Sequence, residues 1–514
     1  MISRIQSYLN KETLPFFQIV LFSSILLSLI STYLFFVNDL HIAHFDSKGH
    51  LLVPRRMVDN LNTGFRQIGA FWLPLPHLVY LPFVQSDSLY FSGLAATPVS
   101  MICFVSTVLV LFKLLEKVFD RFCAFCGSAL YLTNPNVLYL QSTPLTENLS
   151  LLFMIGSTYL FVLFVSSQQR KYLLATSLVS VAGILTRYEN WFAFACMGLL
   201  LLILNIVQKR GLKNLVIDGL ILAPISLLAM GFTFWLNWYT TGHAYLDHSF
   251  KHTDFQPAEG NFVVAFLVIL YTIANLISYD WTVFILPAAV LIFRKRFRDP
   301  VFVASLVILA PFLLYLYEYY DNHPTRIRYG LPFLPAAVFF LSYWPGRSRL
   351  CSYLFLVFSV YVALFSPFAQ FRSSRLLQES LRDTDNLAIQ RDLLWYLRQN
   401  DDGELIFAAM GDIAPVLYDL KLPVKRYIHE GAKPYWNDAN AHPEKIAGWV
   451  LMTQDDRLWK KFHDNPEFHK HFVLIGRRGF LELYRRSPNE VLNQQSHRPH
   501  AWVDKNSMPQ IPGI

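Results

Sequence analysis

The stretch His44-Phe45-Asp46-Ser47-Lys48-Gly49-His50 gathers a carboxylate, an ammonium and two imidazoles just beyond a long apolar run. Burial against hydrophobic surface penalises an ionised carboxylate, so its pKa rises and it can take a proton from a hydroxyl. Asp46 is therefore a candidate base. The competing reading is structural: Asp and Ser often cap helices, and 50–62 is an amphipathic stretch that Asp46 would cap.

Further ionisable residues stand at the ends of apolar runs, where charge is costly and tends to mark function. They fall in Thr143-Pro144-Leu145-Thr146-Glu147 and in Thr186-Arg187-Tyr188-Glu189-Asn190-Trp191. Glu147 reads either as part of a site or as a first-turn acid after a cap at Thr143 or Thr146, and Arg187 either as a site residue or as a snorkelling anchor. Arg326 and Arg328, with His323 and Tyr329, precede Leu331-Pro332-Phe333-Leu334-Pro335. Guanidinium forks suit a lipid phosphate at headgroup depth, or ordinary anionic headgroups. His243, His248 and His252 with Asp247 and Asp254 offer metal-ligand chemistry, but their spacing matches no tight site. Cys123 and Cys126 form a lone C-x-x-C without a second ligand pair, and the five cysteines lie in or beside apolar runs, so no disulfide is expected. Neither a G-x-G-x-x-G nor a Walker motif is present.

The elements that must position these residues are membrane helices. Of the 514 residues, 54% are hydrophobic and only 16% charged, which lies outside the usual soluble mix. The formal charge of +8 is spread in short basic clusters between apolar runs, so it reads as topology and not as a nucleic-acid face. About eleven spans are expected, near 14–37, 88–115, 122–140, 145–167, 171–187, 190–207, 214–238, 275–293, 299–320, 330–345 and 350–369. The first has no small-residue cleavage site after it and reads as an uncleaved span. The interruption at Ser278-Tyr279-Asp280 predicts a surface helix over 262–277 ahead of a span. Lys113, Lys117, Arg121, Arg170, Lys171, Lys209, Arg210, Lys213, Arg294, Lys295, Arg296, Arg298, Arg347 and Arg349 all fall on one side, the cytoplasm by the positive-inside rule. Asp46, Glu147, Arg187 and Arg328 then share the outer side.

The fold class is thus an all-α polytopic membrane protein with a small C-terminal α/β domain. Residues 1–370 form the transmembrane domain, with a first outer loop at 38–87. Residues 371–486 form an outer amphipathic connector, 376–398, followed by the α/β domain, with strands at 404–410, 448–453, 471–475 and 480–484 and helices at 413–420 and 456–463. The tail 487–514 is rich in Pro, Asn, Gln and His and reads as disordered.

The order of Asp46 in a long outer loop, the run Trp72-Leu73-Pro74-Leu75-Pro76-His77, Thr143 to Glu147, Arg187-Tyr188-Glu189-Asn190-Trp191 and Arg328-Tyr329-Gly330-Leu331-Pro332 resembles the GT-C superfamily of membrane glycosyltransferases. Within it the chain is similar to the bacterial branch related to protein O-mannosyltransferases and the aminoarabinose transferase of lipid A, over roughly residues 10–370. The resemblance implies inverting transfer of a hexosyl or pentosyl group from a polyprenyl-phosphate sugar donor to a lipid, glycan or protein acceptor. It implies Asp46 as base and Glu147 as the second acid, both catalytic. Lys48, His77, Arg187, Glu189, His243, Arg326 and Arg328 become substrate-binding candidates, and no metal ligand is assigned. Many relatives carry paired acids in the first loop; here the sequence is Asp46-Ser47-Lys48, so the ammonium stands where a cation's charge is supplied elsewhere, and a divalent cation stays open. The implied setting is a bacterial inner membrane, with site and C-terminus outside and membrane lipids as neighbours. The rivals are a lipid or lipid-linked sugar transporter or flippase, and a non-catalytic scaffold. A transporter should show polar or broken helices at mid-membrane depth, often with inverted repeats; here no repeat is found, and the charges gather at one end of the spans.

Overall fold

In an apolar phase a chain must satisfy its own N–H and C=O groups, so the long hydrophobic runs fold as helices. The computed structural model describes residues 15–69, 72–244, 258, 260–321, 325–365 and 374–487. Among them, six helices are long and apolar enough to cross a membrane: Phe16–Val37, Thr97–Val118, Glu147–Ser167, Glu189–Val207, Leu212–Thr241 and Pro300–Tyr320. The pair Phe262–Ile277 and Tyr279–Phe293, bent by 108°, makes a seventh if it is one crossing. The remaining apolar stretches are shorter or broken. The run expected over 122–140 divides into Arg121–Leu132 and Pro135–Leu140, because Pro135 has no N–H to continue the first helix and Asn134 caps the second. The interruption expected at Ser278 is the bend itself: Ser278 has φ +87°, and its hydroxyl donates to Asp280 at 2.6 Å.

Buried polar side chains tie the apolar helices together. Leu276 C=O, at the bend, accepts from Asn134 Nδ2 at 2.8 Å and Asn136 Nδ2 at 3.2 Å. Asn136 Oδ1 in turn accepts from Ser374 Oγ and the Leu376 N–H, both at 3.0 Å. Asn190 Nδ2 donates to Ser150 Oγ at 2.8 Å, and Gly183 lets Asn190 approach, since a Cβ there would lie 2.5 Å from Asn190 Oδ1. At the opposite end of these spans from Glu147 and Glu189, Arg170 and Arg210 clamp the buried carboxylate of Asp218, each at 2.8 Å.

The chain forms two compact units, residues 1–51 with 69–382 and residues 52–68 with 383–514. This differs from the sequence-based division at 370, which left all of 38–87 with the membrane helices. The second unit contains a five-stranded sheet: β1 (Ile406–Ala408), β2 (Tyr427–Ile428), β3 (Trp449–Thr453), β4 (Phe472–Arg478) and β5 (Leu481–Arg486), in the order β2-β1-β3-β5-β4. β1 runs parallel to β2 and β3, whereas β3–β5 and β4–β5 are antiparallel. Its core packs Phe407, Ile428, Val450, Met452, Phe462, Phe468 and Tyr484. Four strands lie where the alternation placed them; β2, two residues long, is too short to show a period. Segment 52–68 bonds into this unit: Asp59 accepts from the Val424 N–H at 3.0 Å, Gln67 Nε2 donates to Gly431 C=O at 2.9 Å, and His429 Nε2 meets Asn60 Oδ1 at 3.2 Å. The expected connector is two helices, Arg375–Ala388 and Arg391–Gln399.

Candidate active site

Three acids of the first unit each occupy the first turn of a helix: Asp46 in Phe45–Val58, Glu147 in Glu147–Ser167 and Glu189 in Glu189–Val207. Exposed N–H groups at a helix start favour negative charge nearby. Asp46 is not the cap. The cap is His44, whose Nδ1 accepts from the Asp46 N–H at 3.1 Å, and this leaves the Asp46 carboxylate available for a partner.

That partner is Arg328, from the turn Ile327–Phe333. Its Nη1 donates to Asp46 Oδ2, and its Nε and Nη2 reach Glu147 Oε1 at 3.0 and 2.7 Å. Arg187 approaches the same Glu147 oxygen at 3.2 Å and pairs with Glu189 at 2.9 Å. Tyr315 donates to Glu189 Oε1 at 2.5 Å, closing a chain of three acids, two guanidiniums and a phenol. Glu379 Oε2 accepts from the Ile327 N–H at 2.6 Å and so anchors the turn that carries Arg328, while its other oxygen lies 3.7 Å from His44 Nε2. Glu147 Oε2 is buried without a hydrogen-bond partner among the described residues.

The side chains of Glu147 and Arg328 are 2% and 3% exposed, whereas Asp46 keeps 29%. Asp46 is the acid of this pair that an incoming group can reach. Burial works to raise its pKa, but the surrounding positive charge, the Arg328 guanidinium foremost, outweighs burial and holds it below the usual carboxylate range. The raised value expected from the sequence is thus reversed, because hydrophobic surroundings were visible locally and the arginine, 282 residues on, was not.

Of the other candidates, Lys48 and His77 are buried, and His77 Nε2 meets His50 Nδ1 at 3.2 Å. Arg326 is half-buried at the start of the Arg328 turn, and its carbonyl accepts from the Tyr329 N–H at 3.2 Å. His243 is not drawn into the cluster: it is exposed past the end of Leu212–Thr241, and its bonds among the described residues are to Thr241. His248, His252, Asp247, Asp254 and His323 lie outside the described residues. Among the described residues no group of three or more His, Cys, Asp or Glu side chains is placed to hold a metal ion. The sequence reading missed Tyr315, Glu379 and the capping role of His44. Glu379 and Tyr315 had no local motif, since each is defined by a partner more than fifty residues away.

Residues 89–235 match the sequence model of the family described as dolichyl-phosphate-mannose-protein mannosyltransferase. That stretch includes Glu147, Arg187 and Glu189 but neither Asp46 nor Arg328. Comparison with curated protein sequences finds no match. Among solved structures, the chain is similar to ArnT from Cupriavidus metallidurans bound to undecaprenyl phosphate, with TM-score 0.57 and 12% identity over 90% of this chain and 98% of that one. The apo state of the same protein matches with TM-score 0.53 at 11% identity, covering 89% and 97% of the two chains. The apo oligosaccharyltransferase of Archaeoglobus fulgidus matches with TM-score 0.51 at 11% identity, over 92% of this chain and 74% of that one. The chain has the fold of the GT-C superfamily of membrane glycosyltransferases.

Proposed function

We propose that this protein is an inverting glycosyltransferase that moves a hexosyl or pentosyl group from a polyprenyl-phosphate donor to a lipid, glycan or protein acceptor at the outer face of a bacterial inner membrane. The observation that carries the reading is the bridge from Arg328 to Asp46 and Glu147, a buried guanidinium held at a partly open carboxylate. In the resting site the arginines Arg187 and Arg328 are neutralised by carboxylates. A phosphate-linked sugar brings its own negative charge, and a guanidinium fork can share its donors with phosphate oxygens. Asp46, ionised and partly exposed, takes the proton of the acceptor hydroxyl as that oxygen attacks the anomeric carbon, and the bond to the phosphate oxygen breaks on the opposite face. Arg328 and Arg187 stabilise the departing lipid phosphate, and Glu147 fixes both guanidiniums. A base weakened by an adjacent arginine regains strength as that arginine turns to the phosphate, so donor binding and base activation are coupled.

Two supports come from the relatives. The similar ArnT structure is bound to undecaprenyl phosphate, and the matching family is that of dolichyl-phosphate-mannose-protein mannosyltransferase. For topology, we read the six long helices, the bent pair and the shorter helices Arg121–Leu132, Arg170–Ile184, Ile327–Leu341 and Arg349–Leu364 as eleven crossings and leave Pro74–Val84 at the outer surface, so that Asp46, Glu147, Arg187 and Arg328 lie outside, opposite the basic loops. The α/β domain, 400–486, then lies outside and contributes to acceptor choice.

The test is Asp46→Asn, which keeps shape and removes basicity. Purified protein in lipid should retain donor binding and its melting temperature while transfer falls by about 10²- to 10⁴-fold. Transfer at the wild-type rate would remove Asp46 from the chemistry.

A further inference from the structure

One buried imidazole in the first unit has no place in the scheme above. His50 is fully buried, and its Nε2 has no hydrogen-bond partner among the described residues. It stands four residues after Asp46 on the helix Phe45–Val58, one turn along the same face, within electrostatic reach of Asp46, Arg328 and Arg187.

The state of that nitrogen follows from its neighbours. His77 Nδ1 lies 3.2 Å from the Leu73 carbonyl, which can only accept, so His77 Nδ1 carries the hydrogen. In the neutral ring His77 Nε2 is then an acceptor. It faces His50 Nδ1 at 3.2 Å, so His50 Nδ1 is the donor and His50 Nε2 keeps a bare lone pair. Burial, the second imidazole of His77 and the guanidiniums of Arg328 and Arg187 all oppose an added proton on His50, and together they outweigh the attraction of Asp46. The ring is also fixed in orientation. Trp72 covers it at 4.1 Å between ring centroids, and Gly49 admits that indole, because a Cβ there would lie 2.8 Å from the Trp72 ring.

A buried acceptor without a donor costs free energy that a bound hydrogen-bond donor recovers. A phosphate oxygen cannot serve, since it too offers only lone pairs. A carbohydrate hydroxyl can. We propose that His50 Nε2 accepts a hydrogen bond from a carbohydrate hydroxyl in the site, an inference that rests on the glycosyltransferase reading. No proton is transferred to His50; it orients the hydroxyl, and the relay through His77 to the Leu73 carbonyl keeps it an acceptor. The hydroxyl belongs either to the donor's sugar or to the acceptor, and the experiment separates the two.

Full-length protein in lipid nanodiscs is compared as wild type, His50→Phe and His50→Gln. Phenylalanine keeps the stack on Trp72 without the acceptor atom, and glutamine restores an acceptor oxygen. Binding is measured for polyprenyl phosphate, polyprenyl-phosphate mannose and polyprenyl-phosphate arabinose, and turnover as polyprenyl phosphate released with host membrane lipid as acceptor pool. If the hydroxyl is the donor's, His50→Phe loses about tenfold or more in affinity for a sugar-bearing lipid that the wild type binds, and keeps its affinity for polyprenyl phosphate. If it is the acceptor's, all lipid affinities hold and turnover falls by about tenfold or more. In either case His50→Gln recovers most of the loss. Wild-type binding and turnover in His50→Phe would overturn the assignment, as would equal losses for bare and sugar-bearing lipid, or a His50→Gln variant as impaired as His50→Phe. Failure of the wild type to bind any of the three lipids would instead sink the glycosyltransferase reading, and this inference with it.

Discussion

At Arg328 one positive charge serves two acids, and its loss would leave Asp46 without its guanidinium partner and Glu147 with Arg187 alone of its two. Breaking a buried pair from one side costs about 3–5 kcal/mol, because the abandoned charge stays desolvated. Arg328→Gln should therefore lower the melting temperature in nanodiscs sharply and abolish lipid-phosphate binding. Arg328→Lys should melt closer to wild type yet stay inactive, since a point ammonium cannot span both carboxylates as the fork does. Unchanged melting of Arg328→Gln would mean that the bridge contributes nothing to the fold. His429, in the second unit, offers a test by pH. Its Nδ1 accepts from the Gly431 N–H at 3.1 Å, so a proton there would set N–H against N–H. Burial, with Arg56 adding to it, pushes its pKa from 6.5 down to about 3. The folded state thus binds fewer protons than the unfolded one in this window. The stability contribution is fully present above 6.5 and is lost as pH falls from 6.5 toward about 3, at about 1.4 kcal/mol per pH unit. In His429→Gln the pH dependence of melting over that window should flatten, which a thermal scan at several pH values reads directly.

Among the elements, the bend at Ser278 shows how a broken apolar helix is kept dry. Its end carbonyl, Leu276 C=O, is satisfied from another helix by Asn134 and Asn136, and Asn136 also holds the start of helix Arg375–Ala388. Asn136→Leu removes a donor and a twice-used acceptor while keeping bulk. Each buried group left unpaired costs about 1–3 kcal/mol, so the melting temperature should fall clearly, and more than for a lipid-facing change such as Leu228→Ala. Equal melting of the two variants would show that water or lipid replaces these bonds. Asn134-Pro135-Asn136 was legible as a special segment in the sequence, but its partners were not. A motif shows which side chains offer hydrogen bonds, and only packing shows to which carbonyl they go.

For the molecule as a whole, the topology can be tested without any substrate. Reporter fusions after Arg298 and after Ser487 should report opposite sides, the first cytoplasmic and the second outside; the same side for both would break the eleven-crossing scheme and separate the C-terminal sheet from the acceptor. The sequence by itself determined the membrane class, the helices at Phe16–Val37, Glu147–Ser167, Glu189–Val207 and Leu212–Thr241 and four of the five strands, because hydrophobic runs and alternation are written in consecutive residues. It also marked Asp46, Glu147, Arg187, Glu189 and Arg328, since ionisable groups at the ends of apolar runs are conspicuous. Tertiary structure alone decided that Arg328 lowers the pKa of Asp46 where local apolarity had suggested a raised one, and that residues 52–68 fold with the C-terminal sheet. The reason is the same in each case. Charge pairing and hydrogen bonding act over a few ångströms in space, and the partners here stand up to several hundred residues apart in sequence, beyond the reach of any local pattern.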